Sequence, residues 1–103
     1  MMNRVCLIGR IACDVTLKYT PTGIAVSAFR LAVDRNIPNA DGTRDADFIP
    51  VKVWREQAER INQYANKGSL VSVEGRLEVR TFTAADGTTR TAFDVVAESV
   101  TLL

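Results

Sequence analysis

The sequence has no histidine, only two cysteines (Cys6 and Cys13) and only three prolines among 103 residues. Two thiols without an imidazole do not match the ligand spacing of a zinc site. The most common general base is missing. No glycine-rich phosphate loop is present either. Glu74 and Glu78 share a strand face, but nothing beside them supplies a substrate pocket. The chain is therefore expected to be no enzyme and to carry no cofactor or metal. Long apolar runs are also absent, and none reaches the ~20 residues of a membrane span. The apolar stretch after Met1-Met2-Asn3-Arg4 is broken by Gly9 and Arg10 and makes a poor secretory signal, so a cytoplasmic protein is expected. Neither sign of charge is in excess: 13 Lys and Arg face 12 Asp and Glu, for a net charge of +1. There is no basic or acidic tail, so only the distribution of charge can point to a partner. Both cysteines sit among apolar residues and are expected to be small buried fillers. Cys6 lies beside a stretch expected to be exposed, which makes it the thiol accessible to slow oxidation.

What is present is an ordinary globular composition, 47% hydrophobic and 24% charged, in a length that suits one domain over residues 1–103. A chain of this size buries roughly 60–70% of its unfolded surface, so it needs no disulfide or metal to fold. Strand signals dominate. Apolar, β-branched runs cover residues 5–11, 15–20, 24–33, 47–54 and 69–83. The Asp86-Gly87 turn then leads into 89–97, and 100–103 could end the last strand. Thr20-Pro21-Thr22-Gly23 and the polar stretch 34–46 separate the early runs. One segment differs: residues 55–66 are rich in helix formers and place Ala58, Ile61 and Ala65 on one face, with Gly68 as the expected C-terminal cap. Strands interrupted once by a helix suggest an all-β OB-fold, a five-stranded barrel with one helix between strands 3 and 4. A β-sandwich is the competing fold.

Alternation along the strands separates two faces. In the fifth run, Val71, Val73, Leu77 and Val79 form the expected core face, while Arg76, Glu78, Arg80 and Phe82 fall on the other. A β-bulge would reverse that assignment. In the fourth run, Ile49, Val51 and Val53 face in, and Phe48, Pro50, Lys52 and Trp54 face out. Aromatics and cations together on a non-core face form a platform on which bases stack while phosphates are neutralised. The bland alternative is that these aromatics pack under the helix or in a subunit interface. Phe29 and Phe93 run in phase with apolar neighbours and are expected in the core. Tyr64 is expected to pack at the helix end, and Arg44 and Arg60 to be solvated surface charges. Arg10, Lys18, Arg30, Lys52, Lys67, Arg76 and Arg80 lie on or beside strands, where a groove following a nucleic-acid backbone would need them.

Several segments carry a resemblance: Asn3-Arg4-Val5, Leu7 to Arg10, Leu17 to Gly23, Phe29 to Val33, Asp47-Phe48-Ile49, Val53-Trp54, Gln57-Ala58-Glu59, Lys67-Gly68-Ser69, Val73 to Leu77 and Asp86-Gly87. In this order they resemble the bacterial single-stranded-DNA-binding proteins over essentially the whole chain. The resemblance implies an OB-fold, a homotetramer and sequence-independent binding of single-stranded DNA in replication, recombination and repair, in the cytoplasm with the nucleoid. It matches the stacking aromatics to Phe48, Trp54 and Phe82, and the clearest DNA-contacting cations to Lys18, Lys67 and Arg80. Arg30, Lys52 and Arg76 complete the expected set. A further family aromatic matches Ile37, which has no ring and offers only apolar contact, and Pro50 and Glu56 stand where some relatives carry cations. Family members usually continue into a flexible tail with an acidic tip that recruits replication and repair proteins. Such partners are expected only if a tail extends beyond residue 103. The alternative reading is a tail-less OB-fold accessory protein of replication restart. A third is a structural oligomer whose outer aromatics make only subunit contacts.

Overall fold

The computed structural model describes residues 1–103. Its elements in chain order are β1 (Val5–Ile11), β2 (Thr16–Tyr19), β3 (Ala25–Asp34), β4 (Ala46–Trp54), α1 (Glu56–Tyr64), β5 (Leu70–Thr83) and β6 (Thr89–Leu102). The sheet order is β1-β5-β6-β4-β3-β2, and the end of β1 also pairs with β3 through Arg10–Ala32 and Ile11–Leu31. That last pairing closes a ring of five strands, β1-β5-β6-β4-β3. The short β2 continues along β3 where β1 has left it, with Thr16 to Tyr19 opposite Ala28 to Ala25. The five-stranded barrel expected from the sequence is this ring, and the helix falls between its third and fourth strands in chain order.

Inward positions of every ring strand meet in one core. Phe29 and Leu31, Val51 and Val53, Val71 and Val73, Val95, Ala97 and Val100 are all buried, with Ile11 at the β1 end. Helix α1 covers one end of the barrel with Ala58, Ile61 and Ala65. Ser27, fully buried in β3, donates its hydroxyl to the Ala58 carbonyl at 2.9 Å, so the helix backbone is tied to the barrel by a satisfied polar contact. The helix stops at Tyr64, and its C-cap is the extended residue Ala65. Gly68 is not the cap. It turns the chain at φ 95° in a separate turn, where Ser69 N–H donates to the Asn66 carbonyl. At the other end Arg55 takes φ 63°, a region that disfavours a side chain, between Trp54 and the first helical turn.

Two local devices make the ring possible. Gly9 and Gly75 bring backbones together: a Cβ on Gly9 would stand 2.3 Å from the Ala32 carbonyl oxygen, and one on Gly75 would stand 2.1 Å from that of Val96. A β-bulge in β6 follows, because Glu74 faces Ser99 while Gly75 faces Ala97. The extra residue shifts the phase of β6, so Val95 and Ala97 point inward, and then Val100 rather than Ser99. Helix α1 clamps the bulge. The Gln57 amide donates to the Glu98 carbonyl at 2.5 Å and accepts from Val100 N–H at 3.3 Å, and Arg60 donates to the Val100 carbonyl at 3.0 Å. Arg60 is therefore a tie between helix and sheet, not merely a solvated charge.

The bulge lies on β6 and leaves the phase of β5 intact, yet Leu77 and Val79 are exposed, as is Phe93. All three keep the inward orientation but lie beyond the ring. Strand β1 pairs with β5 only as far as Gly75, and β4 pairs with β6 only over Val51–Val53. Past those points β5 and β6 run on as a two-stranded ribbon with no layer against it. The expected core placement of Leu77, Val79 and Phe93 is thus corrected by strand length. Cys6 is also exposed, on the outward phase of β1, and Tyr64 is exposed rather than packed. We expect Gly75→Ala to lose about 1–3 kcal/mol or more of unfolding free energy in urea, because neither the Val96 carbonyl nor the clamped bulge can retreat. Wild-type stability in that variant would contradict the close-approach account.

Candidate nucleic-acid interface

Directly paired residues of a sheet share a face, so the register fixes which candidates stand together. Across β2, β3 and β4, Lys18, Val26 and Trp54 form one row. The next row runs through Thr16, Ala28, Lys52, Val96 and Arg76, crossing from β2 to β5. Arg30 pairs with Pro50, and Ala32 pairs with both Phe48 and Arg10. Along the ribbon, Arg80 pairs with Ala92 and Phe82 with Arg90. Eight of the nine candidate residues therefore lie on one outer face: Trp54, Phe48, Phe82, Lys18, Arg30, Lys52, Arg76 and Arg80. Arg10 joins them. The ninth, Lys67, is off these rows, in the exposed turn after α1. That turn is pinned to β1, since Gly68 N–H donates to the Ile11 carbonyl at 2.7 Å and the Gly68 carbonyl accepts from Arg10 Nη1 at 3.0 Å.

The three aromatics are accessible: Phe48 is 60% exposed, Phe82 41% and Trp54 37%. The Arg80 guanidinium stands over the Phe82 ring, 5.7 Å from its centroid, in a cation–π arrangement that holds cation and ring as one unit. Between the rows lies an outer-face groove of about 300 Å³, lined by Thr16, Ala28, Arg30, Pro50, Lys52 and Asp94 among others. A larger apolar hollow of about 420 Å³ opens at the mouth of the barrel between Leu7, Phe48, Ile49, Leu77, Phe93 and Val95. Ile37, in the loop between β3 and β4, is 82% exposed. That loop is internally braced. Arg35 pairs with Asp47 at 2.9 Å, which raises the guanidinium pKa, and Arg44 donates to the carbonyls of Arg35 and Asn36. Arg44 thus has a structural role that its sequence position did not suggest.

Charge on the face is only partly free. Lys18, Arg30 and Lys67 make no ion pair. Arg76 pairs with Glu78 at 3.1 Å on the same face, whereas Glu74 is drawn off by Arg4 at 3.0 Å. Lys52 and Arg80 both reach Asp94 Oδ2, each at 3.4 Å. Asp94 was not among the expected residues. Its signal in the sequence is a lone acid inside the apolar stretch Ala92 to Ala97.

The fold and site together define a β-barrel of OB form with exposed aromatics and cations gathered on one outer face. Sequence comparison narrows this. The profile of the single-strand binding protein family matches residues 2–103, and the chain belongs to that family. Single-stranded DNA-binding proteins of Bacillus cereus and Oceanobacillus iheyensis are 50% and 48% identical to it over 103 residues, covering 100% of this chain and 61% and 64% of their own length. That of Clostridium tetani is 52% identical over 103 residues, covering 99% of this chain and 70% of its own. The chain spans about six-tenths of the length of the Bacillus and Oceanobacillus relatives.

The ribbon that carries Phe82 ends in a turn with its own electrostatic signature. Asp86 Oδ1 accepts from the Thr88 hydroxyl at 2.6 Å and from Thr88 N–H at 3.0 Å, and Asp41 with Thr43 repeats the arrangement in the β3–β4 loop. These bonds, the hydroxyl's foremost, favour the ionised form and hold both carboxyls below the ordinary aspartate value of 3.8. A depressed native pKa stabilises the turn above the unfolded value, and that contribution is lost as pH falls through the depressed one. Carboxyl NMR titration should therefore give Asp86 a midpoint below 3.8, and Thr88→Val should move it upward. An Asp86 midpoint at or above the ordinary value would contradict the assignment.

Proposed function

We propose that this chain binds single-stranded DNA without sequence preference. In this reading bases stack on Trp54, Phe48 and Phe82, while Lys18, Arg30, Lys52, Lys67, Arg76 and Arg80 neutralise phosphates. The observation that carries the reading is the register. Aromatics and cations from β2, β3, β4 and β5 fall on one continuous outer face, and the aromatics are left exposed there. An exposed aromatic patch invites association unless it has a ligand. Bases suit it because every base has a π-face, so each stack contributes about 1–3 kcal/mol whatever the sequence. Family membership supports the same ligand, and the relatives carry it in their names.

The mechanism is passive coating, with no bond made or broken. Binding the unpaired strand alone opposes duplex re-formation by mass action. One such domain covers about 4–16 nucleotides. By the same family argument the working unit is a homotetramer in the cytoplasm, acting wherever replication, recombination and repair expose single strands. No helix is long and apolar enough to cross a membrane.

Trp54→Ala is expected to weaken binding of oligo-dT, oligo-dA and mixed sequences alike, by about 1–3 kcal/mol in fluorescence anisotropy with a labelled oligonucleotide. A loss confined to one sequence would count against non-specific stacking. An unchanged affinity with altered solution mass would assign Trp54 to a subunit contact instead.

A further inference from the structure

We infer that Asp94 is a fixed counter-charge built into the outer face, positioning Lys52 and Arg80 and limiting how strongly that face attracts phosphate. The inference rests on the single-strand reading above and deepens it. Asp94 sits on β6 with its side chain only 8% exposed, although its phase is outward. It is covered from both sides, by Lys52 of β4 and by Arg80 of β5, each 3.4 Å from the same oxygen, Oδ2. Three strands are thereby joined through one carboxylate. Arg80 donates through Nε, which leaves its Nη hydrogens for another acceptor, and the Lys52 ammonium keeps donors as well. Both cations can therefore be anchored from below and still meet a ligand from above.

The other carboxylate among the candidate cations behaves differently. Glu78 and Arg76 are both about half exposed. An exposed pair of this kind is weak and screened, so an arriving phosphate can take Arg76 while Glu78 turns to water. Asp94 has no such exit. Leaving a buried carboxylate unpaired is strongly unfavourable, so it keeps its cations when DNA binds. Lys52, Arg80 and Asp94 together then present one net positive charge rather than two. The face keeps its geometry, and a single strand that must later be surrendered is held less tightly.

The test is the salt dependence of oligo-dT affinity for wild type, Asp94→Asn and Glu78→Gln. Asp94→Asn keeps shape and removes charge. It is expected to bind roughly five- to tenfold tighter at low salt and to steepen the slope of log affinity against log salt by about 0.7, the value for one more neutralised phosphate on a single strand. Glu78→Gln is expected to change the slope by less. A purely structural role for Asp94 would leave the slope unmoved. An unchanged or shallower slope in Asp94→Asn, or equal steepening in both variants, overturns the inference while leaving the function intact. A wild type that fails to bind oligo-dT overturns both. If Asp94→Asn does not fold, NMR on the wild type decides: the Lys52 ammonium contact to Asp94 should survive saturation with oligo-dT, and its loss would show a displaceable pair.

Discussion

The outer face depends on β6 lying in register between β4 and β5. It pairs parallel with β4 on one side, Val51–Val53 against Val95–Ala97, and antiparallel with β5 on the other along nearly its whole length. Val96 is the residue that places Lys52 and Arg76 in one row, and Asp94 is the residue that draws Lys52 and Arg80 together. The same strand must also close a small barrel, which requires a sharp bend. The bend is supplied by the bulge at Glu98–Ser99 and by the bare backbone of Gly75, and Gln57 satisfies the polar groups that the bulge strands. Helix α1 thus contributes to the site through the sheet. By holding the bulge, it fixes the phase of β6, and with it which side chains look outward.

With net charge near zero, attraction for a polyanion has to come from arrangement. The arrangement is graded. Lys18, Arg30 and Lys67 are free, Arg76 is held by an exposed carboxylate, and Lys52 and Arg80 are held by a buried one. Under the proposed function such a face would neutralise phosphates by degrees and leave much of the affinity to stacking. That division suits the proposed coating of any sequence, since stacking is indifferent to base identity and the ionic part responds to salt.

Much of this was legible in the sequence, for identifiable reasons. Strict alternation in residues 47–54 gave the outward set Phe48, Lys52 and Trp54, because β4 has no bulge and its inner face packs on the core while its outer face is open. The helix was visible from Ala58, Ile61 and Ala65. Alternation gave the orientation of Leu77, Val79 and Phe93 correctly but not their exposure. Orientation is local, whereas burial needs a second layer, and the length of the β5–β6 ribbon beyond the ring is a property of the tertiary pairing. Asp94 was missed for a related reason. Its meaning comes from Lys52 and Arg80, which are 42 and 14 residues away in the chain and meet only through register. The Gln57 clamp was hidden likewise, since a glutamine in a helix gives no sign of the backbone it will satisfy.

The central claim, that the outer face is a stacking surface for unpaired bases, is tested most directly by the lone tryptophan. Trp54 fluorescence should be titrated with oligo-dT and with a matched duplex at two salt concentrations. The account predicts strong quenching by the single strand alone, requiring more DNA at the higher salt. No change with either DNA would contradict it and assign Trp54 to packing or subunit contact.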